Sequence, residues 1–311
     1  MNQNRSEDQA AYHRPVLADE VVGLMAPVLP GLVVDATFGG GGHTRRMLDE
    51  FGDDVTVIAM DRDAEAVATA VGLDAMVVEA NFADIDSVVP PLSEEPVAGV
   101  LFDFGVSSHQ LDEAGRGFSY RQEGPLDMRM GPDAETTADE IVNTWTTEDL
   151  TRIIREYGEE PLARRIARAI VDARPIRSTA TLSTVIAQAM PAARRRAGHP
   201  ARRTFQAIRI AVNRELEAVA TGIEKAVDLV RPGGRVIAIS YHSLEDRIVK
   251  QHFASRAKGC TCPPDLPVCG CGNTTEVRVL TRKPIRASAA EIESNPRARS
   301  AVLRAVEKLA S

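Results

Sequence analysis

The sequence contains no apolar run long enough to span a membrane, and its first ten residues hold no apolar stretch of signal-peptide length. It has only four cysteines in 311 residues, which argues against a disulfide-built scaffold. With 44% hydrophobic and 26% charged residues, the composition is that of one large or two modest globular domains. We therefore expect a cytoplasmic protein with no membrane partner.

Acidic residues are almost absent from residues 161–214. This segment holds twelve arginines, no lysine and one acid, Asp172, so its net charge is 12 − 1 = +11. The whole chain carries −7, which leaves −7 − 11 = −18 for the other residues. The alternative is a set of helices whose charged faces only contact solvent. Such faces usually carry acidic and basic residues together, because side chains of opposite charge pair along a helix. The separation of charge therefore favours a polyanionic partner such as nucleic acid.

Short apolar runs that end in a turn or an acid recur through the first third of the chain, with segments of helical length between them. This alternation is typical of a parallel sheet covered on both faces, and the handedness of such crossovers favours a doubly wound order. The predicted strands are Leu32–Asp35, Val55–Asp61, Ala75–Ala80 and Val97–Asp103, and the predicted helices include His43–Phe51 and Ala64–Val71.

The alternation stops after Val106 and resumes at the strand Arg235–Ser240. We predict a helical insertion at residues 120–203, within a sheet domain formed by residues 1–119 and 204–311. Thr274–Pro284 is predicted as a late edge strand. Hydrophobic periodicity between the strands Val97–Asp103 and Arg235–Ser240 predicts four helices, the last a long amphipathic one: Thr147–Tyr157, Pro161–Ala173, Thr181–Ala189 and Thr204–Val230.

A run of four glycines, Gly39–Gly42, follows the first predicted strand. Such a turn at the carboxyl end of a parallel strand lets a ligand approach the backbone closely. The pyrophosphate fingerprint G-x-G-x-x-G is incomplete, because Thr44 or Arg45 occupies its last position, and no phosphate-loop lysine follows. Asp61 ends the second strand and can accept hydrogen bonds from both ribose hydroxyls of a nucleoside. NAD and S-adenosylmethionine both fit, and the incomplete fingerprint favours the second.

Two further residues stand at predicted strand ends. Phe82 follows the third strand and could border an adenine or pack in the core. Asp103 ends the fourth strand, where it would face the reactive end of a ligand bound across strands one and two. Ser107, Ser108 and Gln110 follow in the same loop and add hydrogen-bonding groups.

Several long motifs resemble one family, the bacterial small-subunit (16S) ribosomal RNA cytosine-N4 methyltransferases, known as RsmH or MraW. They span nearly the whole chain in the family's order, and they are more specific than any glycine loop. The matching stretches are HRPVL (13–17), DATFGGGGHT (35–44), FDFGVSSHQLDEAGRGFSYRQEGPLDMRM (102–130), RRTFQAIRIAVNREL (202–216), GGRVIAISYHSLEDRIVK (233–250) and NPRARSAVLR (295–304).

The resemblance implies a Rossmann-like class I methyltransferase sheet, S-adenosyl-L-methionine as methyl donor, and a cytosine in the decoding region of 16S ribosomal RNA as acceptor. Because such a donor already carries an activated methyl group, we expect no metal in the active site. The sequence leaves the oligomeric state open, a homodimer included. Carried over by position, the donor-binding residues of the family are Gly41, Gly42, His43, Asp61, Phe82, Asp103 and Gln110.

Direct methyl transfer requires positioning and electrostatics rather than a covalent protein intermediate. Asp103, or a backbone carbonyl of residues 105–108, is our candidate to receive hydrogen bonds from the acceptor amine and help remove its proton. Asp103 could instead serve donor binding alone. Tyr241 and His242 could line the base pocket. Ser243 with Asp246 fits a capping box that opens a helix reaching about Ala257.

Arginine-rich segments supply the expected RNA surface, including residues 194–196 and 202–203. Arg209, Asn213 and Gln206 could contact RNA or cover the sheet domain, and Arg297 and Arg299 add positive charge. The spacing of Cys260, Cys262, Cys269 and Cys271 fits either a structural zinc knuckle or a loop of redox-labile thiols. Two other functions stay open from the residues alone, an NAD-dependent oxidoreductase and a non-catalytic RNA-binding protein.

Overall fold

The computed structural model of the protein describes residues 15–195, 199–259, 262 and 274–310. Packing divides the chain into a sheet unit, residues 1–105 and 216–311, and a helical unit, residues 106–215. The predicted insertion, residues 120–203, lies inside the helical unit, and its boundaries stay a prediction. No helix in the described ranges is both long and apolar enough to cross a membrane.

Strands and helices alternate in the sheet unit as the sequence predicts. Its first part contains α1 (Ala18–Met25), β1 (Gly31–Asp35), α2 (Gly42–Phe51), β2 (Val55–Asp61), α3 (Ala64–Val67), β3 (Met76–Glu79), α4 (Ile85–Val88) and β4 (Val97–Asp103). The helical unit follows with α5 (Ser108–Asp112), α6 (Ala138–Thr144), α7 (Thr147–Glu156), α8 (Ala163–Asp172), α9 (Thr179–Ala189), α10 (Ala192–Arg195) and α11 (Arg202–Asn213). The chain continues with α12 (Glu215–Leu229), β5 (Arg235–Ser240), α13 (Ser243–Arg256), β6 (Val277–Val279), α14 (Ala289–Ser294) and β7 (Val302–Lys308).

The seven strands form one sheet in the order β3-β2-β1-β4-β5-β7-β6. Strands β1 to β5 pair in parallel, and β7 pairs antiparallel with both β5 and β6. The direction in which successive strands are added reverses between β1 and β4: β2 and β3 lie on one side of β1, and β4 and β5 lie on the other. The prediction of an α/β, doubly wound, mostly parallel sheet of the class I methyltransferase type is therefore confirmed. The edge strand predicted within 274–284 is β6, whereas β7 was not predicted.

Successive residues of the central strands point to opposite faces of the sheet, and each face is covered by helices. On one face α12 and α13 pack over residues such as Val34 and Val100. On the other face α1 and α2 pack over residues such as Val33 and Leu101. Because both faces are buried, the strands read as continuous apolar runs, which is why the sequence located them well.

The helical unit has its own apolar core. Helices α6, α7, α8, α9 and α11 each contribute buried side chains to it. Helix α8 shows the pattern clearly, since Ile166 and Ile170 are fully buried while Arg164, Arg165 and Arg168 are exposed. One helix face therefore stabilises the unit and the other carries positive charge.

The prediction of a single helix over 204–230 is wrong. The structure has two helices, α11 and α12, with Arg214 between them in the left-handed region at φ 50° and ψ 38°. Apolar periodicity runs through the break because each half packs into a different core, α11 through Ile208 and α12 through Ile223. The helix predicted over 64–71 is also shorter, since α3 ends at Val67.

Candidate active site

Three carboxylates stand at the carboxyl ends of adjacent parallel strands. Asp35 ends β1, Asp61 ends β2 and Asp103 ends β4, and these strands lie in the order β2-β1-β4. Because the strands are parallel, the three side chains share one edge of the sheet, the edge at which open α/β sheets bind ligands. The expectation that Asp61 and Asp103 end strands of this edge is confirmed.

The glycine run forms the turn between β1 and α2. Gly39 and Gly41 have φ values of 54° and 71°, which glycine adopts without steric penalty. A Cβ at Gly41 would lie 2.7 Å from the Cζ atom of Phe38, so the turn also has no room for a side chain there. Gly42 is the first residue of α2. Bare backbone is therefore presented at the start of this helix.

Asp61 is tied to the same turn. Its Oδ2 accepts the N–H of Gly39 at 2.7 Å, and its Oδ1 accepts the N–H of Asp63 at 2.9 Å. Burial raises the pKa of the carboxyl to about 6, although both hydrogen bonds act in the opposite direction. Each oxygen keeps a further lone pair, so the carboxylate can still accept from two ligand hydroxyls.

Asp35 has a structural role. It is 1% exposed, its Oδ2 accepts the hydroxyl of Thr44 at 2.7 Å, and its Oδ1 accepts the N–H of Thr37 at 3.3 Å. Burial raises the pKa of this carboxyl. Asp35 thus fastens the start of α2 to the end of β1 and holds the glycine turn in place.

Asp103 lies between His43 and Tyr241. Its Oδ1 accepts the Tyr241 hydroxyl at 2.8 Å, and its Oδ2 is 3.5 Å from Nε2 of His43. The backbone N–H of Asp103 donates to the hydroxyl of Thr37 at 2.6 Å. The carboxylate is therefore held from both sides, at a side-chain exposure of 23%.

His43 brings a buried nitrogen to this cluster. The residue is 6% exposed, and its Nε2 makes no hydrogen bond within the described chain. Burial alone would lower the pKa of His43, but the nearby Asp103 carboxylate, aided by Asp35 and Glu291, outweighs it and the pKa is raised. A buried nitrogen whose contact to Asp103 is as long as 3.5 Å is weakly satisfied, so it can still donate a hydrogen bond to a bound ligand.

Tyr241 and His242 were candidates for a base pocket. The Tyr241 hydroxyl is used by Asp103, and burial together with that negative charge raises the pKa of the phenol. The capping box predicted for Ser243 and Asp246 is wrong. The cap is His242, whose Nδ1 accepts the N–H of Glu245 at 3.4 Å, while Glu245 accepts the N–H of His242 at 3.2 Å. Asp246 instead pairs with Arg304 at 2.6 Å.

Phe82 lies just after β3, in an aromatic cluster of the sheet unit. Its ring is 5.7 Å from the rings of both Phe102 and Phe104, measured between centroids. It also approaches Gly222 of α12, where an added Cβ would lie 2.7 Å from Cδ2 of Phe82. The core contribution is therefore evident, and contact with an adenine stays a prediction.

Gln110 belongs to the helical unit. It is 5% exposed, and its Oε1 accepts the N–H of Ser107 at 3.1 Å. The hydroxyl of Ser107 in turn accepts the N–H of Gln110 at 3.2 Å, which completes a capping box at the start of α5. Donor binding by Gln110 stays a prediction.

Seven of the twelve arginines of residues 161–214 fall into two groups. Arg174 donates to the carbonyls of Val142 and Trp145, and Arg209 forms a double hydrogen bond to Glu215 at 2.9 Å. Exposed arginines without an ion pair in the described ranges make up the second group: Arg164, Arg165, Arg168, Arg177 and Arg202. Within the described part of this segment, the second group carries positive charge available to a partner. Of the predicted RNA surface, Arg203 already pairs with Glu160 at 3.6 Å, and the side chains of Arg194, Arg195 and Arg196 lie outside the described residues.

The three polar residues of α11 that could have faced RNA act inside the helical unit. Asn213 is 3% exposed and bridges the backbone of Met128 and Met130 at 2.7 and 2.8 Å. Gln206 donates to the carbonyl of Tyr157 at 2.9 Å.

The predicted zinc knuckle lies outside the described residues except for Cys262, so it stays a prediction.

Sequence reasoning missed two hydroxyls that build the site, those of Thr37 and Thr44. Both lie beside the glycine run, in the segment DATFGGGGHT. The position of Thr37 two residues after the strand-end acid Asp35 was an available signal, whereas Thr44 stands nine residues after that acid, at the start of α2. The contact of Thr37 to Asp103 links the ends of β1 and β4, and that of Thr44 to Asp35 links the start of α2 to the end of β1.

Comparison with known proteins identifies the family. The model of the MraW methylase family matches residues 10–309. The ribosomal RNA small subunit methyltransferase H of Heliobacterium mobile is 49% identical, and the match covers 96% of this chain and 99% of that protein. The protein of the same name from Symbiobacterium thermophilum is 51% identical, with 96% and 98% covered. A crystal structure of an rRNA methylase from Streptococcus thermophilus covers 94% of this chain and 95% of its own, with a TM-score of 0.40 and 12% identity. On the sequence matches, the chain belongs to the MraW methylase family and is a methyltransferase.

Proposed function

We propose that this methyltransferase transfers the methyl group of S-adenosyl-L-methionine to N4 of a cytosine in 16S ribosomal RNA, within the small ribosomal subunit. The observation that carries the proposal is the strand-end arrangement of Asp61, the glycine turn and Asp103. The names of the relatives, small-subunit rRNA methyltransferases, support the choice of RNA. Bare glycine backbone, a carboxylate with free lone pairs and the buried Nε2 of His43 together suit a nucleoside that carries an amino-acid tail.

Each part of the donor would have a matching group. Asp61 would accept the ribose hydroxyls, because both of its oxygens keep acceptor capacity. The backbone at Gly41 and Gly42 would allow close approach, since a side chain at Gly41 would collide with Phe38. His43 would donate from Nε2 to an acidic group, as its raised pKa favours the proton-bearing form. Phe82 and Gln110 complete the proposed set.

Asp103 is the proposed acceptor-side group. The donor supplies an activated methyl, so the remaining task is to orient the exocyclic amine and take up its proton. A carboxylate held by Tyr241 at 2.8 Å and partly exposed can accept a hydrogen bond from that amine. Asp103 could alternatively contact the donor alone, and kinetics separate the two roles.

Methyl transfer itself tests the proposal. Small ribosomal subunits that lack the modification are incubated with the protein and labelled S-adenosylmethionine, and the digested RNA is analysed by mass spectrometry. We expect N4-methylcytidine from the wild type and at least a hundredfold less from Asp103→Ala, the order of effect seen when a positioned catalytic group is removed. Asp54→Asn, an exposed acid before β2, is the matched control and should retain activity.

The outcomes are distinct. Label at another nucleoside would refute the cytosine assignment and leave methyl transfer intact. An Asp103→Asn variant that raises only the KM of the donor, with kcat unchanged, would refute the acceptor role of Asp103.

A further inference from the structure

A stack of rings reaches the surface of the helical unit. The centroids of the Tyr120 and His199 rings are 4.3 Å apart, with an interplanar angle of 32°. Phe205, which is 3% exposed, meets the Tyr120 ring edge-on at 5.9 Å and joins the stack to the apolar core. Tyr120 is half-buried and His199 is exposed. The stack therefore leads from the core of the unit to an accessible imidazole.

His199 is held in place by the start of α11. Its Nδ1 accepts the N–H of Ala201 at 3.4 Å, and its carbonyl accepts the N–H of Arg202 at 3.2 Å. An exposed side chain would normally sample several rotamers, and binding would then require ordering it. The backbone contacts and the Tyr120 ring orient this imidazole before any partner arrives.

Positive charge without ion pairs flanks the stack. The guanidinium carbon of Arg121 lies 5.8 Å from the centroid of the Tyr120 ring. Arg121 and Arg202 are exposed, and neither is paired with a carboxylate in the described part of the chain. Partial desolvation, together with the charge of Arg121, lowers the pKa of His199, which favours the neutral imidazole. His199 would therefore contribute to binding affinity through its ring, whereas the arginines would contribute through their charge.

We propose that Tyr120, His199, Arg121 and Arg202 form a docking site for one unpaired nucleotide of RNA, with its base stacked on His199 and its phosphates on the two arginines. Unpaired bases are commonly recognised by stacking on aromatic, histidine or arginine planes, combined with basic side chains for the backbone. The choice of RNA rests on the proposed function. A purely structural role for the stack is the competing explanation.

The test uses binding of the full-length protein, so that it does not depend on methyl transfer. The probe is a fluorescein-labelled single-stranded RNA of twelve nucleotides, measured by anisotropy against a hairpin of the same composition. We expect His199→Ala to bind the single strand about tenfold more weakly, the usual effect of removing one stacking partner. His199→Phe, which keeps an aromatic face, should bind like the wild type.

An abasic scan separates a docking site from a structural role. Replacing each base of the probe in turn by an abasic site should weaken wild-type binding most at one position, and His199→Ala should have lost that sensitivity. Arg202→Ala should lower the salt dependence of log affinity by about one unit of slope, since about one phosphate contact is lost. His199→Ala should leave the slope unchanged. Arg152→Ala, an exposed arginine already paired with Asp149 at 3.7 Å, is the control.

Three results would overturn the proposal: unchanged affinity of His199→Ala, equal weakening at every abasic position, or loss of affinity in His199→Phe with an unchanged melting temperature. If the scan succeeds while small subunits receive no methyl group, the docking site stands and the proposed methyl acceptor does not. If methyl transfer succeeds and the scan fails, only the docking site is refuted.

Discussion

Asp61 makes donor binding depend on pH. The pKa of its carboxyl is raised to about 6 by burial, and ribose hydroxyls donate to the ionised form. We predict that affinity for S-adenosylmethionine, measured by calorimetry between pH 5 and pH 8, increases as pH rises through about 6 and then levels off. Asp61→Ala should bind weakly at every pH and show no such step. A step of equal size in this variant would assign the dependence to another group.

The same carboxyl has the opposite effect on the stability of the unliganded protein. Its pKa is about 6 in the folded chain, above the ordinary value of 3.8, so folding favours the protonated form. The stability that this adds is complete below about pH 4 and is lost as pH rises through 6. We predict that the melting-temperature gain from added donor grows over this interval, and thermal scans with and without donor measure it.

Tyr241 is predicted to position Asp103. Tyr241→Phe removes the 2.8 Å hydrogen bond to Oδ1 while keeping the ring. A hydrogen bond to a charged group contributes about 1.5–3 kcal/mol, so kcat for methyl transfer should fall roughly tenfold or more. Because Asp61 and the glycine turn are untouched, donor affinity should stay near that of the wild type. Equal loss in donor affinity and kcat would mean that Tyr241 acts on donor binding instead.

At the scale of the element, the glycine turn before α2 is predicted to be the least tolerant segment of the site. Gly41 and Gly72 both have positive φ, 71° and 78°, but only at Gly41 would a Cβ meet other atoms. Gly72→Ala should cost about 1 kcal/mol of unfolding free energy, the usual penalty for a side chain at positive φ. Gly41→Ala should cost more and also weaken donor binding, as denaturant titration and calorimetry would show. Equal effects would mean that Phe38 moves aside.

Elements that bury both faces were predictable, and those defined by distant partners were not. Strands β1, β2 and β4 read as apolar runs that end in an acid, which also located Asp61 and Asp103. Strand β7 mixes charged and apolar residues, and only its pairing with β5 and β6 makes it a strand. The break at Arg214 was hidden because α11 and α12 continue one apolar period into two cores.

The contacts inside the site were less predictable than its location. Strand-end logic places Asp103 at the ligand edge, but the orientation of His43 toward it depends on how α2 begins after the turn. Likewise, the pattern Ser-x-x-Asp suggested Ser243 as the N-cap of α13. In the structure α13 packs against β5 and β7, and Asp246 forms an ion pair with Arg304 instead of a capping contact. A one-residue shift in a cap changes which side chains remain available, and sequence alone does not resolve it.

For the whole molecule, the separation of charge predicts a strong salt dependence of RNA binding. Arg164, Arg165 and Arg168 share the exposed face of α8 and have no ion pairs in the described ranges. Replacing all three by glutamine should reduce the slope of log affinity against log salt by about two to three units for a 16S RNA fragment. The melting temperature should change little, because the buried face of α8 is unaltered. An unchanged slope would place the RNA contacts elsewhere.

Strand β4 is synthesised long before the strand that pairs with its second edge. The inner strand β5 lies between β4 and β7, and it begins 235 − 103 = 132 residues after β4 ends. While the helical unit is being made, the free edge of β4 is a row of unpaired backbone groups, which other strands can join wrongly. We expect the nascent sheet to depend on protection by chaperones until β5 arrives, and renaturation of the denatured chain to be slow because its decisive contacts are distant in sequence.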